Sequence, residues 1–135
     1  VKGRKPKLKL IAGGTAAGKC PPPPGWFQQH ARETWQRTAP ALFARGLLVP
    51  DVMATVESYC IAAGQVVELE ALMSVEGRLI SDGASGSKPH AAFKMQQAAM
   101  REARLLAGEL GLTPHRRPQD DTDKPSGDAW GELLA

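Results

Sequence analysis

The chain has 135 residues, a formal charge of +3, 42% hydrophobic residues and 23% charged ones. That suits one modest domain, or a smaller one with tails, and excludes a wholly disordered chain. No apolar run approaches the roughly 18 residues that would span a bilayer, and Cys20 and Cys60 supply neither a disulfide framework nor a CxxC metal spacing. The chain therefore reads as a soluble cytoplasmic protein with reduced thiols. Aromatics are only 5%, so the core must use small and aliphatic side chains, which favours close-packed helices over a sheet.

Residues 1–25 read as a basic, flexible arm. Lys2, Arg4, Lys5, Lys7, Lys9 and Lys19 give its first nineteen residues a net charge of +6 with no acid among them. Gly13, Gly14, Gly18 and the run Pro21 to Pro24 follow, and neither a helix nor a central strand accommodates them. Residues 26–112 read as a helical core with a net charge of −1. The first helix, from Phe27 to Arg45, places Trp35, Ala39 and Leu42 at helical spacing. Pro40 inside it should kink it or split it into 27–38 and 40–45. Gly46 ends it, and Leu47-Leu48-Val49 forms a tight apolar connection.

Pro50-Asp51 opens a long second helix that runs to Glu76 and stops at Gly77. Val52, Val56, Tyr59, Ala63, Val66 and Met73 form one stripe on it, widened by Cys60 and Val67, while Ile61, Leu69 and Leu72 fall outside. A helix apolar on nearly two sides needs two sets of neighbours, and this favours self-association. The glycine- and serine-rich residues 78–88 read as a loop or small hairpin. A third helix from Pro89 to Leu110 turns Ala92, Met95, Ala99, Ala103, Leu106 and Leu110 inward. Gly111, Leu112 and Pro114 supply a left-handed cap, its apolar contact and a stop. Residues 113–135 carry a net charge of −2 and read as an acidic, disordered tail.

Residues 13–20, GGTAAGKC, come within one residue of a phosphate-binding P-loop. Cys20 stands where the metal-binding hydroxyl is required, and four prolines stand where the helix must begin, so nucleotide binding is not expected. His30, His90 and His115 lack a second ligand at metal spacing and read as surface or capping residues. Glu68 and Glu70 lie on different sides of their helix and cannot share a proton. No catalytic residue, metal or cofactor is expected, and the chain does not read as an enzyme.

Two features point to nucleic acid. The basic arm suits binding by counterion release, which needs no fixed shape. On the third helix Lys94, Arg101 and Arg104 cluster opposite the apolar stripe, with Lys88 just before it, and read either as a rail for a nucleic-acid backbone or as an ordinary solvated face. The second helix has no Lys or Arg between Arg45 and Arg78 but carries Asp51, Glu57, Glu68, Glu70 and Glu76, so a duplex should repel it. In the tail, Trp130, Leu133 and Leu134 take the spacing that lays one helical turn into a groove.

The basic arm and glycine segment, Pro21 to Trp26, Trp35 to Leu42, Gly46-Leu-Leu48 with Asp51, Tyr59-Cys60, the Gly/Ser connector, Lys88-Pro-His90 and residues 110–114 (LGLTP) occur here in series. In that series the chain resembles a small terminase subunit of a tailed bacteriophage, over residues 1 to about 117. It departs from the family at Ala91, where Pro often follows the His, and after Arg116-Arg117, where the chain turns acidic. The resemblance implies a non-enzymatic part of the genome-packaging motor, working in the host cytoplasm outside the mature virion. Such proteins form homo-oligomeric rings, bind double-stranded viral DNA at the packaging start site, and recruit and regulate the large subunit, which carries the ATPase and nuclease.

The expectation is therefore an all-α protein of three main helices that assembles into a ring. The DNA-binding candidates are Lys2, Arg4, Lys5, Lys7, Lys9, Lys88, Lys94, Arg101 and Arg104. The oligomer-interface candidates are Val52, Val56, Tyr59, Ala63, Val66, Leu69, Leu72 and Met73, and the docking candidates toward the large subunit are Trp130, Leu133 and Leu134. The alternative is a dimeric helix-turn-helix transcription regulator that reads DNA with the first two helices.

Overall fold

A computed structural model describes residues 18–83 and 86–114. The Lys2 to Lys9 cluster and the Trp130 motif lie outside the described residues, as does most of the tail. Three helices carry the fold: α1 (Gln29–Ala44), α2 (Met53–Glu76) and α3 (Ala91–Glu109). A two-stranded antiparallel hairpin, β1 (Leu79–Ser81) and β2 (Ser87–Pro89), joins the last two, with Ile80 opposite Lys88. The fold is mostly helical with this small sheet added.

α2 is central, with α1 and α3 packed antiparallel along it. Gly64, midway along α2, meets Ala31 at the start of α1, and the chain turns back through residues 45–52. The core between these two helices holds Phe27, Ala31, Trp35, Ala39, Leu42, Val56 and Cys60, and Leu110 closes it from the end of α3. α3 covers the later part of α2, where Met73 is buried and Gln96 reaches Val66 and Glu70. The two sets of neighbours that α2 requires are thus both found within the chain. Its two-sided apolar character is used for folding and gives no argument by itself for self-association.

Both glycine stops behave as the sequence indicates. Gly46, with φ of 69°, ends α1 with Leu47 N–H donating to Leu42 O and Gly46 N–H to Phe43 O, both at 2.9 Å. Gly111, with φ of 68°, repeats the pattern on α3, with Leu112 N–H donating to Ala107 O at 2.9 Å. These paired bonds satisfy carbonyls that a helix end leaves open, and the positive φ falls to glycine because it has no Cβ to clash.

Three boundaries differ from the sequence expectation. α1 runs through Pro40 as one helix; Pro40 is on the exposed side, so its ring meets solvent rather than a packed neighbour. Pro50–Val52 is a 3-10 turn ahead of α2, closed by Val52 N–H to Val49 O at 3.0 Å. Pro89 belongs to β2, and α3 begins only after His90. Packing also starts earlier than Trp26. The indole N–H of buried Trp35 donates to Pro21 O at 3.1 Å, and Cys20 is packed against the core. The proline run thus supplies a carbonyl that a buried indole requires.

Candidate nucleic-acid interface

The orientation of α3 decides which of its side chains can meet a partner. Ala92, Gln96, Ala99 and Leu110 are buried, and Ala103 and Leu106 are half-buried beside them. At about 100° per residue these positions define one stripe. Met95, expected within that stripe, is 61% exposed, and buried Gln96 takes the inward place. Its amide donates to Glu70 Oε2 at 2.6 Å and to Val66 O at 3.3 Å, so its burial leaves no orphaned donor. Glu70 also pairs with Arg78.

His90 sets where α3 starts. Its Nδ1 accepts from Ala92 N–H at 2.9 Å, and its Nε2 lies 2.7 Å from Glu76 Oε2. An Nδ1 that accepts must be unprotonated, so the ring donates to Glu76 through Nε2. His90 is therefore a capping histidine. Two carboxylates of α2, Glu70 and Glu76, thus fasten α3 and the hairpin.

Fixed in this way, α3 holds Lys94 and Arg101 on the face opposite α2, with Arg104 to one side of them. All three are exposed, and none has an ion-pair or hydrogen-bond partner among the described residues. From Lys94 to Arg104 the ridge covers about 15 Å at 1.5 Å per residue. A duplex presents about nine phosphate charges over that length. Glu102 and Glu109 sit to one side of the ridge, and Lys88 is exposed on β2. The structure brings the three helical cations together, and Lys88 enters from the adjoining hairpin.

The residues expected at an oligomer interface divide into two groups. Val56 and Met73 are buried in the chain's own core, while Val52, Tyr59, Ala63, Val66 and Leu69 are half-buried and only Leu72 is exposed. Sequence reasoning missed Val75, 88% exposed, and Leu79, 64% exposed, at the same end of the molecule. Helical periodicity was no guide there, because α1 begins at Gln29 and its cover of α2 ends just past Gly64. Along the middle of α2 runs a groove of about 480 Å³ between α2 and α3, walled by Ile61, Ala62, Leu69, Met95, Ala99 and Leu106, with Ser58, Gln65 and Glu102 also lining it.

The described residues contain no group of three or more His, Cys, Asp or Glu placed to hold a metal ion. Burial, aided by the Glu57 carboxylate, pushes the Cys60 thiol up to about 12, and burial also raises that of Cys20. Neither is a ready nucleophile at neutral pH. No helix among the described residues is long and apolar enough to cross a membrane.

The family model described as "Phage terminase, small subunit" matches residues 31–124. The chain belongs to this family. Membership supports a role for the small subunit in phage DNA packaging. The matched residues take in nearly all of α1, all of α2, the hairpin and α3 with its basic ridge; the basic arm and the Trp130 motif fall outside them. No curated protein and no solved structure matches the small subunit.

Proposed function

We propose that this small subunit is a non-catalytic adaptor of the packaging motor. In this reading it assembles into a ring of copies, binds double-stranded viral DNA at the packaging start site, and recruits and regulates the large subunit in the host cytoplasm. The observation that carries the reading is the α3 ridge. Three cations without partners among the described residues stand on a twice-anchored helix, inside the region that matches the family. Phosphates attract such a surface through released counterions. The arm cations Lys2, Arg4, Lys5, Lys7 and Lys9 extend the same field, and Lys88 adds to it.

For ring assembly the support is the uncovered end of α2. Val67, Leu72 and Val75 are exposed on a helix segment that α1 does not reach. Contacts between such a patch and a different patch on the next copy close into a ring when the rotation permits. Each protomer then contributes modest DNA affinity, multiplied by avidity. A dimeric helix-turn-helix regulator gains nothing from the geometry, because α2 is flanked by α1 and α3 and carries Glu57, Glu68, Glu70 and Glu76 with no Lys or Arg to meet phosphates. Light scattering with and without a duplex tests the reading. A mass several-fold above 14.4 kDa, rising when duplex is added, supports it. A monomer at micromolar concentration that ignores DNA overturns it.

A further inference from the structure

Three chemically distinct faces surround α3. At about 100° per residue, Met95 and Glu102 turn to one edge, Phe93 and Met100 to the opposite edge, and Lys94 and Arg101 outward between them. The first edge walls the α2–α3 groove of about 480 Å³, with Ile61 and Leu69 of α2 across from it. Among the described residues Glu102 is the charged side chain lining this groove, and Glu109 continues the same edge of the helix. The opposite edge of α3 carries no acid. Phe93 and Met100 stand there 41% and 42% exposed, with Gln97 between them and Arg104 beyond. Glu70 of α2, behind that edge, is already paired with Arg78.

We propose that a second copy of this chain fills the groove: Phe93 and Met100 of one copy seat against Ile61, Leu69 and Met95 of the next, and Arg104 meets Glu102 across the seam. The proposal rests on the ring reading above and names the two faces that such a ring joins. Three observations select this occupant. The first is charge. An apolar groove with an acid on its rim suits an apolar edge that carries a cation and no acid, and neither Glu102 nor Arg104 has an ion-pair partner among the described residues.

The second observation is spacing. Phe93, Gln97, Met100 and Arg104 follow one another at intervals of four, three and four, the seam by which one helix enters the surface of another. Phe93 and Met100 lie about 10 Å apart along α3, and the groove is about 16 Å long from Met95 to Leu106, so it takes both. The third is continuity. One turn beyond Leu69, the α2 wall of the groove reaches Leu72, so the groove and the uncovered end of α2 form one receiving face.

The two edges lie on nearly opposite sides of one helix, and a single pair of copies cannot join both. Each copy instead receives one neighbour and enters another, the head-to-tail contact that closes into a ring when the rotation permits. Lys94 and Arg101 belong to neither edge. Assembly leaves them outward in every copy, where successive protomers present them on one face.

Sedimentation of the full chain and two variants tests the proposal. Phe93→Glu with Met100→Glu removes the entering edge, and Met95→Asp strands a carboxylate on the apolar wall of the groove. All three positions are exposed, so circular dichroism should match the parent. Each variant alone should fall to the monomer mass of 14.4 kDa. Mixed in equal amounts they should form a dimer and nothing larger, because each keeps the face that the other has lost; that dimer also shows both variants to be folded. Glu102→Arg should weaken assembly about fivefold at low salt, and adding Arg104→Glu to the same chain should restore it. Variants that assemble like the parent overturn this assignment of faces and leave the ring reading standing. Variants that stay monomeric when mixed mark a contact between like faces and also overturn it. A parent chain that is itself monomeric at micromolar concentration overturns both the assignment and the ring.

Discussion

Gly64 lies directly against the backbone of α1, and replacing it by alanine tests how the two helices pack. A Cβ there would lie 2.7 Å from Ala31 N and 3.0 Å from both Ala31 Cα and His30 C. All three atoms are backbone, so no side chain can swing aside, and the helices themselves must separate. Two effects oppose each other. Alanine in a helix interior is favoured over glycine by about 0.8–1 kcal/mol, whereas overpacking a close interface costs about 1–3 kcal/mol or more. The clash should win because separating α1 from α2 also loosens the seats of Ala31, Trp35 and Cys60, giving a net loss of about 1–2 kcal/mol.

Gly108 is the internal control, since a Cβ there meets nothing within 4 Å. Gly108→Ala should stabilise by up to about 1 kcal/mol through propensity alone. Urea and thermal denaturation of the two variants beside the parent chain measure both, each kcal/mol moving Tm by about 4 °C at this size. A Gly64→Ala chain as stable as the Gly108→Ala chain would refute the placement of α1 against α2.

Three further outcomes follow from particular residues. The Cys60 thiol is raised from about 9 to about 12 in the folded chain. The folded state therefore holds a proton that the unfolded state releases, and stability is full below about pH 9 and lost as pH rises toward about 12. Cys60→Ala should flatten that alkaline fall, measured as the difference in urea midpoint between the two chains; identical pH profiles would contradict the burial of Cys60. His90→Ala should cost about 1–2 kcal/mol by removing the cap of α3 and should speed amide exchange at Ala92, whereas His90→Asn keeps an acceptor and should recover part of the loss; unchanged exchange at Ala92 would contradict the cap. Leu72→Glu with Val75→Glu should lower the assembled mass in sedimentation while leaving the circular dichroism intact, and an unaltered mass would move the self-association face elsewhere.

The parts of the fold read correctly from sequence are those governed by local chemistry. Gly46 and Gly111 end helices because a left-handed residue there is a backbone requirement, visible without knowing what packs nearby. The ridge was legible for a related reason, since the positions opposite a buried stripe follow from helix geometry even when one member of the stripe is misassigned. That member was Met95. Hydrophobicity alone put it inside, but the inward place went to Gln96, whose amide finds Glu70 and Val66 O across thirty and fewer residues of sequence. Such a partner is invisible until α2 and α3 are set side by side. The same limit explains α2. Two apolar sides were visible, but whether neighbours within the chain or another copy cover them is a tertiary fact, and α1 and α3 supply that cover here. Pro21 belongs to this class too, since its carbonyl matters only because Trp35 is buried fourteen residues later.

The central claim is that the outward face of α3 meets DNA, and the salt dependence of duplex binding tests it most directly. Removing one cation that neutralises a phosphate should reduce the slope of log K against log salt by about 0.9. Lys94→Ala, Arg101→Ala and Arg104→Ala together should lower the slope by about 2 to 3 and weaken binding without regard to duplex sequence. A triple variant that binds with the parent slope and affinity would contradict it.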